Sequence, residues 1–110
     1  MPQLAAWRVA TPLPHALECV LSFLSAELGD AVGASPVLLV RQAYASAVVR
    51  FVNGMVDARQ HGVYARSIAA IASEIGLPGW FVELRHAATH EDLPSLEILR
   101  EASREVWFSQ

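Results

Sequence analysis

Apolar residues recur at helical spacing along most of this chain, and prolines and glycines divide the recurrences into segments. Leu13, Leu17, Val20, Leu24 and Leu28 fall at i, i+4, i+7, i+11 and i+15, with Pro12 and Pro14 near one end and Gly29 just past the other. That spacing predicts an amphipathic helix over about 13–28 with the leucines as its apolar stripe. A short helix from Leu4 to Arg8, carrying Trp7, is expected before it. Ser35 followed by Pro36 reads as an N-cap and a first helical residue. From Val37 to Val56 apolar residues occupy nearly every side, as in a helix surrounded by others or shared with a second chain. Asn53 and Gly54 interrupt this helix near its end, where glycine either frays the last turns or admits a close helix contact.

Gln60, His61 and Gly62 read as the following loop. Ile68, Ile71 and Ile75 share one face of a shorter helix over about 65–75, which Gly76 and Pro78 end. Pro78 opens the next helix, and because Leu93 precedes Pro94 that helix should stop near Glu91 or Asp92. A last helix over about 94–108 carries the stripe Leu96, Leu99, Ala102 and Val106, with Glu97–Arg100 and Glu101–Arg104 as i,i+3 pairs on its solvated side. No strand-like alternation or internal repeat interrupts the series. The expectation is an all-α bundle of about five helices with up-and-down character.

A chain of 110 residues suffices for one hydrophobic core, so residues 1–110 are read as one domain. Hydrophobic residues make up 54% against 17% charged, which suggests self-association or a missing neighbour. No apolar run approaches the ~20 residues of a membrane span, and the first residues lack the basic-then-apolar pattern of a signal peptide. A soluble, intracellular protein is expected. Cys19 is the sole cysteine, which rules out an internal disulfide and a multi-cysteine zinc site and makes it a core residue. A net charge of −3 argues against a broad basic footprint for nucleic acid. All eight basic residues are arginines, and Arg41, Arg50, Arg59 and Arg66 are scattered rather than clustered.

The stretch Arg85-His86-Ala87-Ala88-Thr89-His90 gathers a permanent cation and two imidazoles on one helix. At about 100° per residue, Arg85, Thr89, His86 and His90 spread over roughly 140° of one side, while Phe81, Leu84, Trp80, Ala87 and Ala88 take the other. One face can be buried and the other presented. Such a set can hold an anion and move a proton, which suits phosphate chemistry. His86 and His90 also have metal-pair spacing, but Ala87 stands where the metalloprotease pattern needs glutamate. No metal and no cofactor are expected, since the chain has no glycine-rich phosphate loop either. His15 and His61 read as exposed or capping residues, and Tyr44, Phe51, Trp80 and Phe81 as core aromatics.

Four segments carry a family resemblance: LPHALECV at 13–20, RFVNGMVD at 50–57, YARSIAAIASEIGLP at 64–78 and LRHAATHEDLPSLEILREA at 84–102. Together they resemble, in order and over most of the chain, the Las-one family of eukaryotic endoribonucleases that cut precursor ribosomal RNA in the second internal transcribed spacer. The resemblance implies a HEPN domain, an all-α nuclease fold marked by an arginine, four to six intervening residues and a histidine, here Arg85 and His90 with four between them. His86 matches the family's additional histidine. The implied reaction is metal-independent attack of a ribose 2′-hydroxyl on the adjacent phosphate, leaving a 2′,3′-cyclic phosphate and a 5′-hydroxyl. Arg85, His86 and His90 would then be catalytic and Thr89 substrate-positioning, with the acid and base roles of the two histidines left open.

The same resemblance implies a homodimer with a composite site, for which the apolar helix over 36–56 is a suitable interface. It further implies an RNA substrate, a polynucleotide 5′-hydroxyl kinase as partner, and a nuclear, nucleolar setting. Family members are longer, so this chain resembles the nuclease module without their C-terminal regions, and absent partner surfaces could supply the positive charge it lacks. The competing expectation is a catalytically silent HEPN dimerisation or scaffold module.

Overall fold

Local signals set most of the helix ends in a computed structural model, in which residues 13–57, 67–90 and 92–108 are described. Among these residues the elements are α1 (Leu13–Val32), α2 (Val37–Asp57), α3 (Ile68–Ile75), α4 (Gly79–His90) and α5 (Leu96–Phe108), and no strand is present. The all-α expectation holds. The short helix expected over Leu4–Arg8 and the loop expected at 60–62 lie outside the described residues.

Ser67 caps α3 by accepting from the Ala70 N–H at 3.1 Å, and Gly76, at φ 79°, closes its other end in a left-handed conformation. The Leu77 N–H then returns to the Ala72 carbonyl at 2.8 Å, burying Leu77 against the core. Ser95 caps α5, its hydroxyl accepting from the Ile98 N–H at 3.3 Å. At α2 the first turn closes on the Pro36 carbonyl, one residue later than the Ser35 cap implied. Helix α1 runs through Gly29 to Val32, four residues past the expected end, and Gly33, at φ 72°, follows it. Ties from Asp30 to the rest of the bundle outweigh the roughly 1 kcal/mol that a mid-helix glycine costs.

Helix α2 is the axis of the bundle and packs against α1, α3, α4 and α5. Its buried residues, among them Val40, Tyr44, Val48, Phe51, Val52 and Met55, account for much of the apolar pattern within one chain, while Val37, Leu38 and Leu39 at its start are 54–60% exposed. Edge-on aromatic contacts run from Phe23 through Phe51 to Phe81, with ring centroids 6.1 and 5.7 Å apart, and Trp80 adjoins Phe81 at 4.7 Å. On α5 the stripe Leu99, Ala102 and Val106 is buried as expected.

Helix α1 reverses the face read from its leucines. Leu17, Leu21, Leu24 and Leu28 are 45–67% exposed, while Ala16, Cys19, Phe23 and Ala26 are buried. The small residues let α1 approach α2 closely, and Glu27 and Asp30 ride on the same inward side because partners meet them there. Asp30 receives both Arg100 Nε (2.7 Å) and Nη2 (2.6 Å), and the Tyr44 hydroxyl at 2.9 Å. Glu27 accepts from the Ser103 hydroxyl and from the Trp107 indole N–H, the latter at 2.6 Å. Arg100 therefore crosses to α1 instead of pairing with Glu97, whereas the Glu101–Arg104 pair forms as expected.

Candidate functional site

Helix α4 buries Phe81 and Leu84 against the core and presents Arg85, His86, Thr89 and His90 on its outer side. The helical period puts all four on one ridge, as the sequence implied. The His86 and His90 rings are neighbours with centroids 4.2 Å apart and planes tilted by 44°, and both residues are exposed. One proton acceptor and one proton donor could stand side by side there. The Thr89 hydroxyl turns back on its own helix, donating to the Arg85 carbonyl at 3.0 Å and the His86 carbonyl at 3.2 Å. Back-bonding of this kind holds the Thr89 hydroxyl against its own helix.

Arg85 is half-buried, and its Nε donates to Asn53 Oδ1 on α2 at 2.5 Å. In the sequence Asn53 stands out only as an interruption of a helix. A signal that could have raised it is a polar amide at an inward position of an otherwise apolar helix, where burial requires a partner. Gly54 follows directly and makes room for the imidazole of His15, since a side-chain carbon there would lie 1.4 Å from His15 Nε2. That nitrogen is also 3.4 Å from Cys19 Sγ. His15, read as a capping or exposed residue, is half-buried on α1 with its ring packed on Gly54 of α2. Gly54 thus serves close packing and does not fray the helix.

The five described arginines differ in what engages them. Arg50, Arg100 and Arg104 each meet a carboxylate, from Glu18, Asp30 and Glu101 respectively. Arg41 turns to the backbone, donating to the Pro94 carbonyl at 3.0 Å and the Leu93 carbonyl at 2.5 Å, which pins the link between α4 and α5. Arg85 meets only a neutral side-chain amide, so among the described residues its charge has no anionic partner. Arg59 and Arg66 lie outside the described residues.

Beside the ridge a groove of about 480 Å³ separates α2 from α4. Ala45, Val49, Ala88 and Leu93 form its floor, and Gln42, Ser46, Arg50 and Thr89 its rim. His86 and His90 offer two imidazoles, but among the described residues no group of three or more His, Cys, Asp or Glu side chains is placed to hold a metal ion. Cys19 is buried on α1, and burial together with the Glu18 charge pushes its thiol up to about 11. It is core, as expected. No described helix is long and apolar enough to cross a membrane.

Residues 1–108 match the family model described as Las1-like. The chain is 41% identical over 100 residues to Protein LAS1 of Saccharomyces cerevisiae, covering 86% of this chain and 20% of that protein. It is 38% identical over 99 residues to the pre-rRNA-processing protein las1 of Schizosaccharomyces pombe, covering 90% and 20%. With the ribosomal biogenesis protein LAS1L of mouse it shares 31% identity over 100 residues, covering 89% and 13%. The chain therefore spans about a fifth of the length of its yeast relatives.

Proposed function

The chain belongs to the Las1-like family, and on that premise we propose that it is the nuclease module of a pre-ribosomal RNA endoribonuclease that acts in ribosome biogenesis without a metal. Relatives named for pre-rRNA processing and ribosomal biogenesis support the setting. The observation that carries the reading is the α4 ridge, where a half-buried arginine with no anionic partner among the described residues stands beside two adjacent, exposed imidazoles.

In this reading one imidazole removes the proton from a ribose 2′-hydroxyl as its oxygen attacks the neighbouring phosphorus. The second imidazole protonates the departing 5′-oxygen as the P–O5′ bond breaks. A 2′,3′-cyclic phosphate and a 5′-hydroxyl end result, and Arg85 offsets the extra negative charge on the phosphorane. Thr89, between the two histidines, positions the substrate from the rim of the groove. The cleavage site in the second internal transcribed spacer, a HEPN-type homodimer that joins two ridges around one linkage, a polynucleotide 5′-hydroxyl kinase partner and a nucleolar location complete the proposal.

A silent HEPN scaffold is the second reading, and the net charge of −3 with three described arginines neutralised by carboxylates favours it. Incubation of spacer RNA in EDTA with the protein, alone and with the kinase, followed by end-group analysis, separates the two. Cleavage to cyclic-phosphate ends that drops about 100-fold or more in His90→Ala is expected for the nuclease. Intact RNA under all of these conditions would leave the scaffold.

A further inference from the structure

Among the hydrogen bonds that tie the ridge to the core, one engages a side chain of the proposed reaction: Arg85 Nε to Asn53 Oδ1 at 2.5 Å, across 32 residues of sequence. We propose that Asn53 is the positioning residue for the phosphate-binding arginine, and this rests on the ribonuclease reading above.

A guanidinium is planar and offers donors along two usable edges, one made by Nε with an Nη and one made by the two Nη atoms. With Nε committed to Asn53, the edge formed by the two Nη atoms remains. Among the described residues no acceptor engages either Nη of Arg85. That edge matches the spacing of two non-bridging oxygens on one phosphodiester, so the bond to Asn53 selects an end-on, bidentate grip.

The acceptor also sits where it moves least. Asn53 is carried by the central helix between Val52, which is fully buried, and Gly54, against which the His15 ring packs. A neutral amide is the chemically suitable holder, because a carboxylate at the same place would cancel much of the charge that phosphate must meet. Arg100 shows the contrast within this fold. Its Nε and one Nη are closed by Asp30, which suits a structural tie.

The test uses the chain with its kinase partner for RNA cleavage, and the 110-residue chain alone for NMR of arginine Nε–H groups. In the wild type a distinct Arg85 Nε–H signal with slowed solvent exchange is expected. Asn53→Ala should lose that protection and cleave about 10- to 100-fold more slowly, mainly in kcat. Asn53→Asp should keep the protection and the thermal stability, yet bind RNA more weakly with a salt slope smaller by about one. A merely structural link between helices would be restored by Asp in binding and cleavage alike, and that result would overturn the proposal. Wild-type cleavage in Asn53→Ala would overturn it too, while leaving the ribonuclease reading in place. A wild-type protein that neither cuts nor binds RNA, and is indifferent to Arg85→Ala, would instead remove the reading beneath it.

Discussion

Replacing Gly54 with alanine puts a methyl carbon 1.4 Å from Nε2, 2.1 Å from Cε1 and 2.2 Å from Cδ2 of His15. Ordinary carbon contacts lie near 3.5–4 Å, so the ring must retreat by roughly 2 Å or swing away from α2 altogether. Two opposing effects set the outcome. Alanine in a helix interior is favoured over glycine by about 1 kcal/mol. Forcing extra volume into a packed contact costs about 1–3 kcal/mol. The single variant Gly54→Ala should therefore be destabilised by about 0–2 kcal/mol, the difference between those two ranges. In a His15→Ala background the obstruction is gone and only the helical preference remains, so the same substitution should stabilise by about 1 kcal/mol. The coupling between the positions is then about 1–3 kcal/mol. Urea denaturation of the four proteins measures it directly, and in melting experiments 1 kcal/mol corresponds to about 4 °C or more for a domain of this size. If Gly54→Ala stabilises both backgrounds equally, within about 0.5 kcal/mol, His15 does not pack on that glycine and the arrangement beside Asn53 is wrong.

Three further outcomes test the fold around the site. The double variant Leu21→Glu, Leu28→Glu alters side chains that are 63% and 67% exposed and should shift unfolding by less than about 0.5 kcal/mol, whereas Phe23→Ala, at a fully buried position, should cost about 3–5 kcal/mol. Urea midpoints that rank the other way would restore the leucines to the core. Hydrogen bonding from Arg100, and then from Tyr44, holds the Asp30 carboxyl below its ordinary value near 3.8. Its contribution is full above the unfolded-state value and is lost as pH falls through the lower folded-state value. Below about pH 4 the urea midpoint of the wild type should therefore fall more steeply than that of Asp30→Asn, and parallel curves would refute the tie. With its thiol pushed up to about 11 and its side chain buried, Cys19 should react slowly with a disulfide reagent at pH 8 in the native protein and rapidly in urea. Equal rates would place it at the surface.

The ridge was legible because its geometry is local. Residues 85, 86, 89 and 90 share a face in any α-helix, and Phe81 with Leu84 marks the opposite side for burial. Asn53 escaped notice because its value depends on a partner 32 residues away, and no periodicity carries that information. The leucine face of α1 misled for a related reason. Its hydrophobicity was plain, but two apolar faces competed, and the face that combines Phe23 with the small Ala16, Cys19 and Ala26 took the core.

Residue order alone determined the helical class, the stop of α3 at Gly76 and the single face that unites an arginine with two imidazoles, since these follow from backbone preferences within a few neighbouring residues. Tertiary packing decided which side of α1 is covered, why Glu27 and Asp30 point inward, and which acceptor holds Arg85. Those outcomes rest on groups 14 to 80 residues apart in the chain, and only the folded bundle sets the distances between them.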